Sequence, residues 1–96
     1  MEKLVVTRYK SLVAYLKKIE LIDDKTKIIT HAKIEDVQNK HVIGVLPYWL
    51  SCHTGKFTEI QLRIPSERRG HELTVEEIDF YSLEPKTYEV REVSYE

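Results

Sequence analysis

Val42-Ile43-Gly44-Val45-Leu46 is an uninterrupted apolar stretch, and it predicts a strand that is buried on both faces of a sheet. Strands with one face in water alternate polar and apolar residues, whereas central parallel strands do not. Pro47 follows at once, and proline has no N–H for a sheet ladder but suits the first position of a helix. The sequence therefore predicts a central parallel strand over 42–46 and a short helix over about 47–54, which ends before Gly55.

The residues before this stretch alternate between strand and helix patterns. A short β-branched apolar run predicts a first strand over 3–7. Apolar residues then recur at three- and four-residue spacing, which predicts an amphipathic helix over about 9–20. A second apolar run predicts a second strand over 27–31, and residues 34–37 fit one helical turn.

The same alternation continues after the central stretch. Alternating apolar residues predict a fourth strand near 58–64, and the capping-box sequence Thr74-Val75-Glu76-Glu77 predicts a helix near 75–80. A last, half-exposed strand is predicted over 88–93. Strands that alternate with helices predict one α/β domain over 1–96, with a mostly parallel sheet of about five strands flanked by helices.

Size and charge limit the classes of function. A chain of 96 residues closes one small core, so a site that needs more walls must take them from another copy, and we expect a homo-oligomer. Fifteen Lys and Arg residues stand against 16 Asp and Glu residues, for a formal net charge of −1. This balance excludes the sequence-wide basic excess of many duplex-binding proteins, so we do not expect duplex nucleic acid as a partner.

The cysteine content and the apolar segments bear on compartment. Cys52 stands alone, which excludes disulfides within the chain and multi-thiolate metal sites. The first residues lack the pattern of a signal peptide, and the most apolar window, 42–50, is too short to cross a bilayer. We therefore expect a soluble cytoplasmic protein without a membrane partner.

Polar or turn-forming residues follow each of the first three predicted strands. Thr7 and Arg8 follow the first strand, and Thr30 and His31 end the second. The turn at the end of the third consists of Gly44, Val45, Leu46 and Pro47. Ligands of open α/β sheets bind beyond the carboxyl ends of the strands, where helix N-termini suit phosphate groups. The alternative is that Gly44 relieves packing and that Arg8 is a solvated strand end.

Arginines concentrate in one later segment of the chain. Arg63, Arg68 and Arg69 lie within seven residues, and the planar guanidinium group suits phosphate oxygens better than an ammonium group does. Arg69-Gly70, between a predicted strand and a capped helix, is a candidate clamp over a ligand. The alternative is an exposed turn whose arginines pair with the nearby carboxylates of Glu67, Glu72 and Glu76.

The histidines and glycines match no known metal or phosphate motif. The four histidines form no i,i+4 pair, so we expect no metal site and no cofactor. Glycine-rich phosphate loops are also absent from the sequence. Among the histidines His31 is the best placed for chemistry, because it ends a strand at the expected ligand edge.

Four motifs follow one another along the chain: Val-Val-Thr-Arg at 5–8, Thr-His at 30–31, Val-Ile-Gly-Val-Leu-Pro at 42–47 and Pro-Ser-Glu-Arg-Arg-Gly-His-Glu-Leu-Thr at 65–74. In this order they resemble the small stand-alone CRISPR-associated family called Csx-sixteen. The resemblance extends from residue 4 to about residue 80. It implies a Rossmann-like fold and an accessory of type III CRISPR systems that acts on cyclic oligoadenylate messengers as a ring nuclease.

The resemblance also implies site residues. Positions that match the family pattern are His31, Gly44, Leu46, Pro47, Arg69, Gly70 and Glu72. Tyr9 stands where the family usually has histidine, so we count Tyr9 among the ligand-binding residues without an imidazole role. Arg8 and Arg69 are expected to stabilise the phosphate charge, and His31 is expected to accept a proton. Thr7 is expected to hold ribose or phosphate. The turn that contains Val45 and Leu46 is expected to contact the same ligand.

The sequence is compatible with three functional hypotheses. The leading one is a homodimeric phosphodiesterase that linearises cyclic oligoadenylate, cyclic tetra-adenylate above all, without a metal. The second is a non-catalytic sensor or sponge that binds the same messenger. The third is a dimerisation module without a nucleotide site.

Overall fold

Five strands form one sheet in the computed structural model, which describes residues 1–95. Their order across the sheet is β2-β1-β3-β4-β5. The bounds are β1 Lys3–Val6, β2 Lys27–Ile29, β3 His41–Gly44, β4 Lys56–Glu59 and β5 Lys86–Tyr88. The first four strands are parallel, and β5 is antiparallel to β4. The predicted α/β class, the mostly parallel sheet and the central position of β3 are confirmed.

Four α-helices flank this sheet among the described residues. They are α1 Lys10–Lys18, α2 Ile34–Val37, α3 Tyr48–Ser51 and α4 Val75–Tyr81, and a 3₁₀ turn spans Ser66–Arg68. The predicted capping box begins α4, because Glu77 N donates to Thr74 Oγ1 and Thr74 N donates to Glu77 Oε1, both at 3.1 Å. No helix within residues 1–95 has the length and apolar character needed to cross a membrane.

Both faces of the sheet are covered by apolar packing. One face carries a buried cluster of Leu4, Val6, Val37, Val42, Leu50 and Phe57, which includes residues of α2 and α3. The other face carries Val5, Tyr15, Leu16, Ile22, Ile43 and Ile78, which includes residues of α1 and α4. Burial on both faces explains why β1 and β3 lack polar alternation.

Several predicted boundaries differ from the structure by a few residues. The first strand, the second strand and the first helix each end one or two residues before the predicted end, at Val6, Ile29 and Lys18. The predicted third strand over 42–46 ends at Gly44. The predicted helix over 47–54 has only the four residues of α3.

Two predicted strands were placed wrongly. The fourth strand is Lys56–Glu59, so the prediction over 58–64 is wrong beyond residue 59. The alternation there comes from Ile60 and Leu62, which pack against the α1 and α4 cluster, while Leu62 makes only an isolated bridge. The last strand is Lys86–Tyr88, and the residues predicted over 89–93 lie outside any strand.

Gly44 ends β3 at a place where the sheet has no room for a side chain. Val6 and Gly44 are direct neighbours in the parallel pairing of β1 with β3. The φ angle of Gly44 is 142°, and a Cβ at this residue would overlap the Val6 carbonyl oxygen. Packing within the sheet therefore accounts for the glycine, while a role in ligand binding stays a prediction.

We predict that Gly44→Ala lowers the free energy of unfolding by about 3 kcal/mol or more, because backbone strain and overlap add. Urea unfolding followed by circular dichroism measures this loss. Gly55→Ala is the matched control: Gly55 has no positive φ, and its nearest neighbour is the flexible Met1 side chain. Equal losses in the two variants would contradict the packing argument.

A chain of polar side chains crosses β3, β4 and β5. The ring Nε2 of His41 lies 2.6 Å from Thr58 Oγ1, and Thr58 Oγ1 lies 2.7 Å from Thr87 Oγ1. Thr58 is buried, so these bonds satisfy a polar group inside the sheet. Burial lowers the pKa of His41, and the positive charges of Lys3, Lys56 and the N-terminus lower it further.

This arrangement predicts a pH-dependent stability. Because the folded chain lowers the pKa of His41, protonation of the ring costs more in the folded than in the unfolded state. The neutral His41 ring therefore contributes to the free energy of unfolding in full above the ordinary histidine pKa of about 6.5, and this contribution is lost as the pH falls below that value. His41→Gln should flatten the fall of the urea midpoint between about pH 7 and pH 5, and an unchanged slope would contradict this assignment.

Candidate functional site

The carboxyl ends of the first three parallel strands lie side by side. Val6 is the register partner of both Ile29 and Gly44, so β1, β2 and β3 end at the same level. Thr7 continues this pairing, since its backbone N–H donates to Ile29 O at 3.0 Å. The polar pairs predicted after β1 and β2 therefore leave the same edge of the sheet, which we call the carboxyl edge.

The carboxyl edge also contains the topological switch point of the sheet. The chain goes from β1 outward to β2 and then returns to β3 on the other side of β1. Connections that diverge in this way leave a crevice between the two strands, which is where open α/β sheets bind ligands. The two strands on either side of this crevice are β1 and β3, and the residues that follow them are Thr7 and Val45.

The turn after β1 is organised by Thr7. Its hydroxyl oxygen accepts a hydrogen bond from Tyr9 N at 3.1 Å, just before α1 begins. Arg8 lies at the tip of this turn, with its guanidinium carbon 5.9 Å from the centre of the Tyr9 ring. Both side chains are exposed, so the turn presents a cation and an aromatic ring to solvent.

His31 is exposed in the bend that follows β2. Its ring makes no hydrogen bond or ion pair with any part of the chain within residues 1–95. A general base is normally oriented by a third group. His31 lies two residues beyond the end of β2 and not at the strand end as predicted, and within residues 1–95 no group orients its ring.

The turn after β3 differs from the prediction in its electrostatics. Pro47 was predicted as the first residue of the helix but is the residue that precedes α3, and Leu46 packs against the first apolar cluster. With only four residues, α3 sums few peptide dipoles, and the predicted anion site at a helix start therefore loses most of its basis. The turn and the start of α3 instead expose large apolar side chains, namely Val45, Tyr48 and Trp49.

The arginine segment lies between β4 and α4, and one of its arginines is fixed. Arg68 donates from Nε and Nη2 to the carboxylate of Glu77 at 2.8 and 2.9 Å. The cap hydrogen bond from the Thr74 backbone lowers the pKa of Glu77, and the Arg68 charge lowers it further. Glu77 is thus the arginine partner, and the alternative that named Glu67, Glu72 and Glu76 is wrong about the partners.

Arg69 and Gly70 follow this fixed arginine. Gly70 has a φ of 84° with nothing near the place of a Cβ, and Arg69 and Glu72 are exposed. Within the described chain, no hydrogen bond or ion pair joins these residues to the carboxyl edge. The structure thus collects the residues after β1, β2 and β3, and it holds the Arg69 loop on α4 as a separate element.

A groove of about 500 Å³ lies where the carboxyl edge continues past β4. Its apolar lining comes from Val45, Ile60, Leu62 and Leu83, and its polar lining comes from Glu59, Gln61 and Arg63. Glu59 and Gln61 are not among the site residues predicted from the sequence. The signal was present, because polar residues at 59, 61 and 63 alternate with the apolar residues that predicted a strand.

A second cavity, of about 260 Å³, lies beside Lys3, Ile22 and Asp23. Lys3 begins β1, so this cavity is at the amino edge of the sheet, on the opposite side from the turns that carry Arg8 and His31. Its position separates it from the candidate site.

Comparison with known families identifies the family of the chain. A family model described as "Putative CRISPR-associated protein (Cas_VVA1548)" matches residues 4–91. The chain belongs to this CRISPR-associated family. The match covers the carboxyl edge, the groove and the Arg69 loop of this CRISPR-associated protein. No curated protein and no solved structure matches the chain.

Proposed function

We propose that this CRISPR-associated protein is a ring nuclease that binds cyclic oligoadenylate, cyclic tetra-adenylate in particular, and opens its ring to end a type III CRISPR response. The observation that supports this proposal is the carboxyl edge, where Thr7, Arg8 and His31 leave neighbouring strands at the switch point. Membership of the CRISPR-associated family supports a role in CRISPR defence, and the resemblance of four motifs to Csx-sixteen implies the substrate class.

The strand order supports a Rossmann-like assignment for the fold. The order β2-β1-β3-β4-β5 is the doubly wound order in which phosphate-bearing ligands bind at the β1 and β3 switch point. Here the fifth strand is antiparallel, so the sheet is an edge-modified form of that arrangement.

The reaction uses a nucleophile that the substrate itself carries. The ribose 2′-hydroxyl gives its proton to an acceptor while its oxygen attacks the adjacent phosphorus and the bond from phosphorus to the 5′-oxygen breaks. The 5′-oxygen takes up a proton from the protonated acceptor or from water. The products end in a 2′,3′-cyclic phosphate and a 5′-hydroxyl group. The protein must supply in-line geometry, positive charge for the phosphorus oxygens and a proton acceptor for the 2′-hydroxyl.

Each of these tasks has a candidate residue. Arg8 at the carboxyl edge and Arg69 in its loop are the cations for the phosphate oxygens. Thr7 holds ribose or phosphate through its hydroxyl, which still has a proton to donate beyond the bond it accepts. His31 is the candidate proton acceptor.

A two-fold homodimer fits the symmetry of the ligand. Cyclic tetra-adenylate is a ring of four equivalent nucleotides, so two equivalent half-sites match it. The carboxyl edge exposes Val45 by 76%, Tyr48 by 84% and Trp49 by 62%, and contact with a second copy would bury this apolar surface.

A sponge that binds the same messenger without cleaving it is the second candidate. It is favoured by the exposed ring of His31, which no group within residues 1–95 orients, and by Tyr9 at the position of the family histidine. A dimerisation module without a nucleotide site is the remaining alternative.

Incubation of the pure protein with labelled cyclic tetra-adenylate in EDTA separates these functions. Linear product supports the metal-independent ring nuclease, and retention of the messenger without product supports the sponge. Absence of both product and retention supports the dimerisation module. Light scattering on the same samples tests the shared site, because a monomer with and without ligand would contradict the dimer.

We predict that Arg69→Ala and His31→Ala have different effects. The phosphates are anionic before reaction, so loss of Arg69 should weaken binding and slow cleavage. Loss of a proton acceptor should leave binding nearly intact and lower single-turnover cleavage by about 10²-fold or more. Filter binding and single-turnover assays measure the two quantities.

Matched controls are available for both variants. Arg91→Ala removes an exposed arginine near the end of the described chain, and His53→Ala removes a histidine in the turn after α3. Both should behave like the wild type. Near wild-type cleavage by His31→Ala, with no break in the pH–rate profile near neutrality, would remove His31 from the mechanism.

A further inference from the structure

We propose that the groove beyond β4 binds one adenine base of the messenger, and that Gln61 reads the edge of that base. This inference rests on the proposed function for its ligand, but it concerns residues outside the proposed phosphate site. Glu59, Gln61 and Arg63 supply the polar lining of the groove.

The groove is continuous with the carboxyl edge through Val45. Val45 directly follows Gly44 in the turn after β3, and it is also one wall of the groove. A nucleotide whose phosphate lies at the carboxyl edge therefore has the groove as the adjoining concave surface for its base. The groove has a volume of about 500 Å³ and is largely open to solvent, so a base there would lie against its lining with one face exposed.

The backbone that carries Gln61 and Arg63 is held in place. Leu83 N donates to Gln61 O at 2.8 Å, and Arg63 N donates to Tyr81 O at 2.9 Å. Between these bonds Leu62 forms an antiparallel bridge to Ser82. Residues two apart on an extended segment point to the same side, so the side chains of Gln61 and Arg63 share a face.

The lining has the chemistry of a base site. The exposed Val45 and the half-buried Leu83 offer apolar surface to the face of a purine ring, whereas Ile60 and Leu62 pack toward the α1 and α4 cluster. A glutamine amide places an acceptor beside a donor, which complements the 6-amino group of adenine and the neighbouring ring nitrogen. Arg63 adds a positive charge near the phosphates attached to that base.

The three polar side chains of the groove are available for a ligand. Within residues 1–95, Glu59, Gln61 and Arg63 make no side-chain hydrogen bond or ion pair with the protein. Glu59 could instead favour guanine, because a carboxylate accepts hydrogen bonds from the N–H groups of that base. Base identity is therefore the decisive measurement.

Titration of the full ¹⁵N-labelled chain with adenosine 5′-monophosphate, guanosine 5′-monophosphate and ribose 5-phosphate tests the groove directly. We expect the adenine nucleotide to shift the side-chain amide signal of Gln61 and the backbone signal of Val45. Ribose 5-phosphate should leave the Gln61 signal unmoved. A larger shift with the guanine nucleotide would overturn the adenine assignment in favour of recognition by Glu59.

A binding assay with cyclic tetra-adenylate links the groove to the messenger. Gln61→Ala should weaken binding by about tenfold to a hundredfold, the range for loss of a bidentate contact to a base. Gln38→Ala is the matched control, because Gln38 is an exposed glutamine after α2 and lies outside the groove. It should bind like the wild type.

The two experiments separate failure of the groove from failure of the proposed function. Adenine-specific shifts at Gln61 without binding of cyclic tetra-adenylate would support the groove and overturn the proposed function. Full binding and cleavage by Gln61→Ala, with no shift at Gln61, would overturn the groove and leave the function intact. Absence of both adenine shifts and messenger binding would overturn both proposals.

Discussion

The parallel pairing of β1 with β3 is the constraint on which the remaining structure depends. Val6 and Gly44 are neighbours in this pairing, and the Val6 carbonyl oxygen occupies the space that a side chain at 44 would need. The pairing places both strands in the two apolar clusters and makes them end at one level. Because they end together, the turns that carry Arg8 and Val45 leave the sheet side by side.

The arginine segment is attached to α4 and is separate from the carboxyl edge. Arg68 donates to the carboxylate of Glu77, and this carboxylate also caps α4. The buried side chain of Ile78 anchors α4 in the core. This connection makes the Arg69 loop an extension of α4. One arginine of this segment therefore has a structural role, and the neighbouring Arg69 stays exposed.

Much of the fold follows from local patterns in the sequence. The central strand was predictable because burial on both faces removes polar alternation, and the start of α4 was predictable because a capping box satisfies backbone N–H groups locally. Residues 60–64 misled the prediction, because alternation reports which side chains face the core and does not report pairing with a neighbouring strand. The bounds of the last strand were predicted wrongly for the same reason, because pairing with β4 defines β5 and the sequence pattern does not report that pairing.

The sequence by itself determined an α/β domain, polar residues at the ends of its first two strands, a glycine at the end of the third and an arginine-rich loop before a capped helix. Only the tertiary structure decided that Gly44 is required by Val6, that Arg68 pairs with Glu77, and that Val45 and Gln61 line one groove. These features join residues that are distant in sequence, so they depend on strand order and register. Local propensity acts within a few neighbouring residues, and for that physical reason it leaves such contacts open.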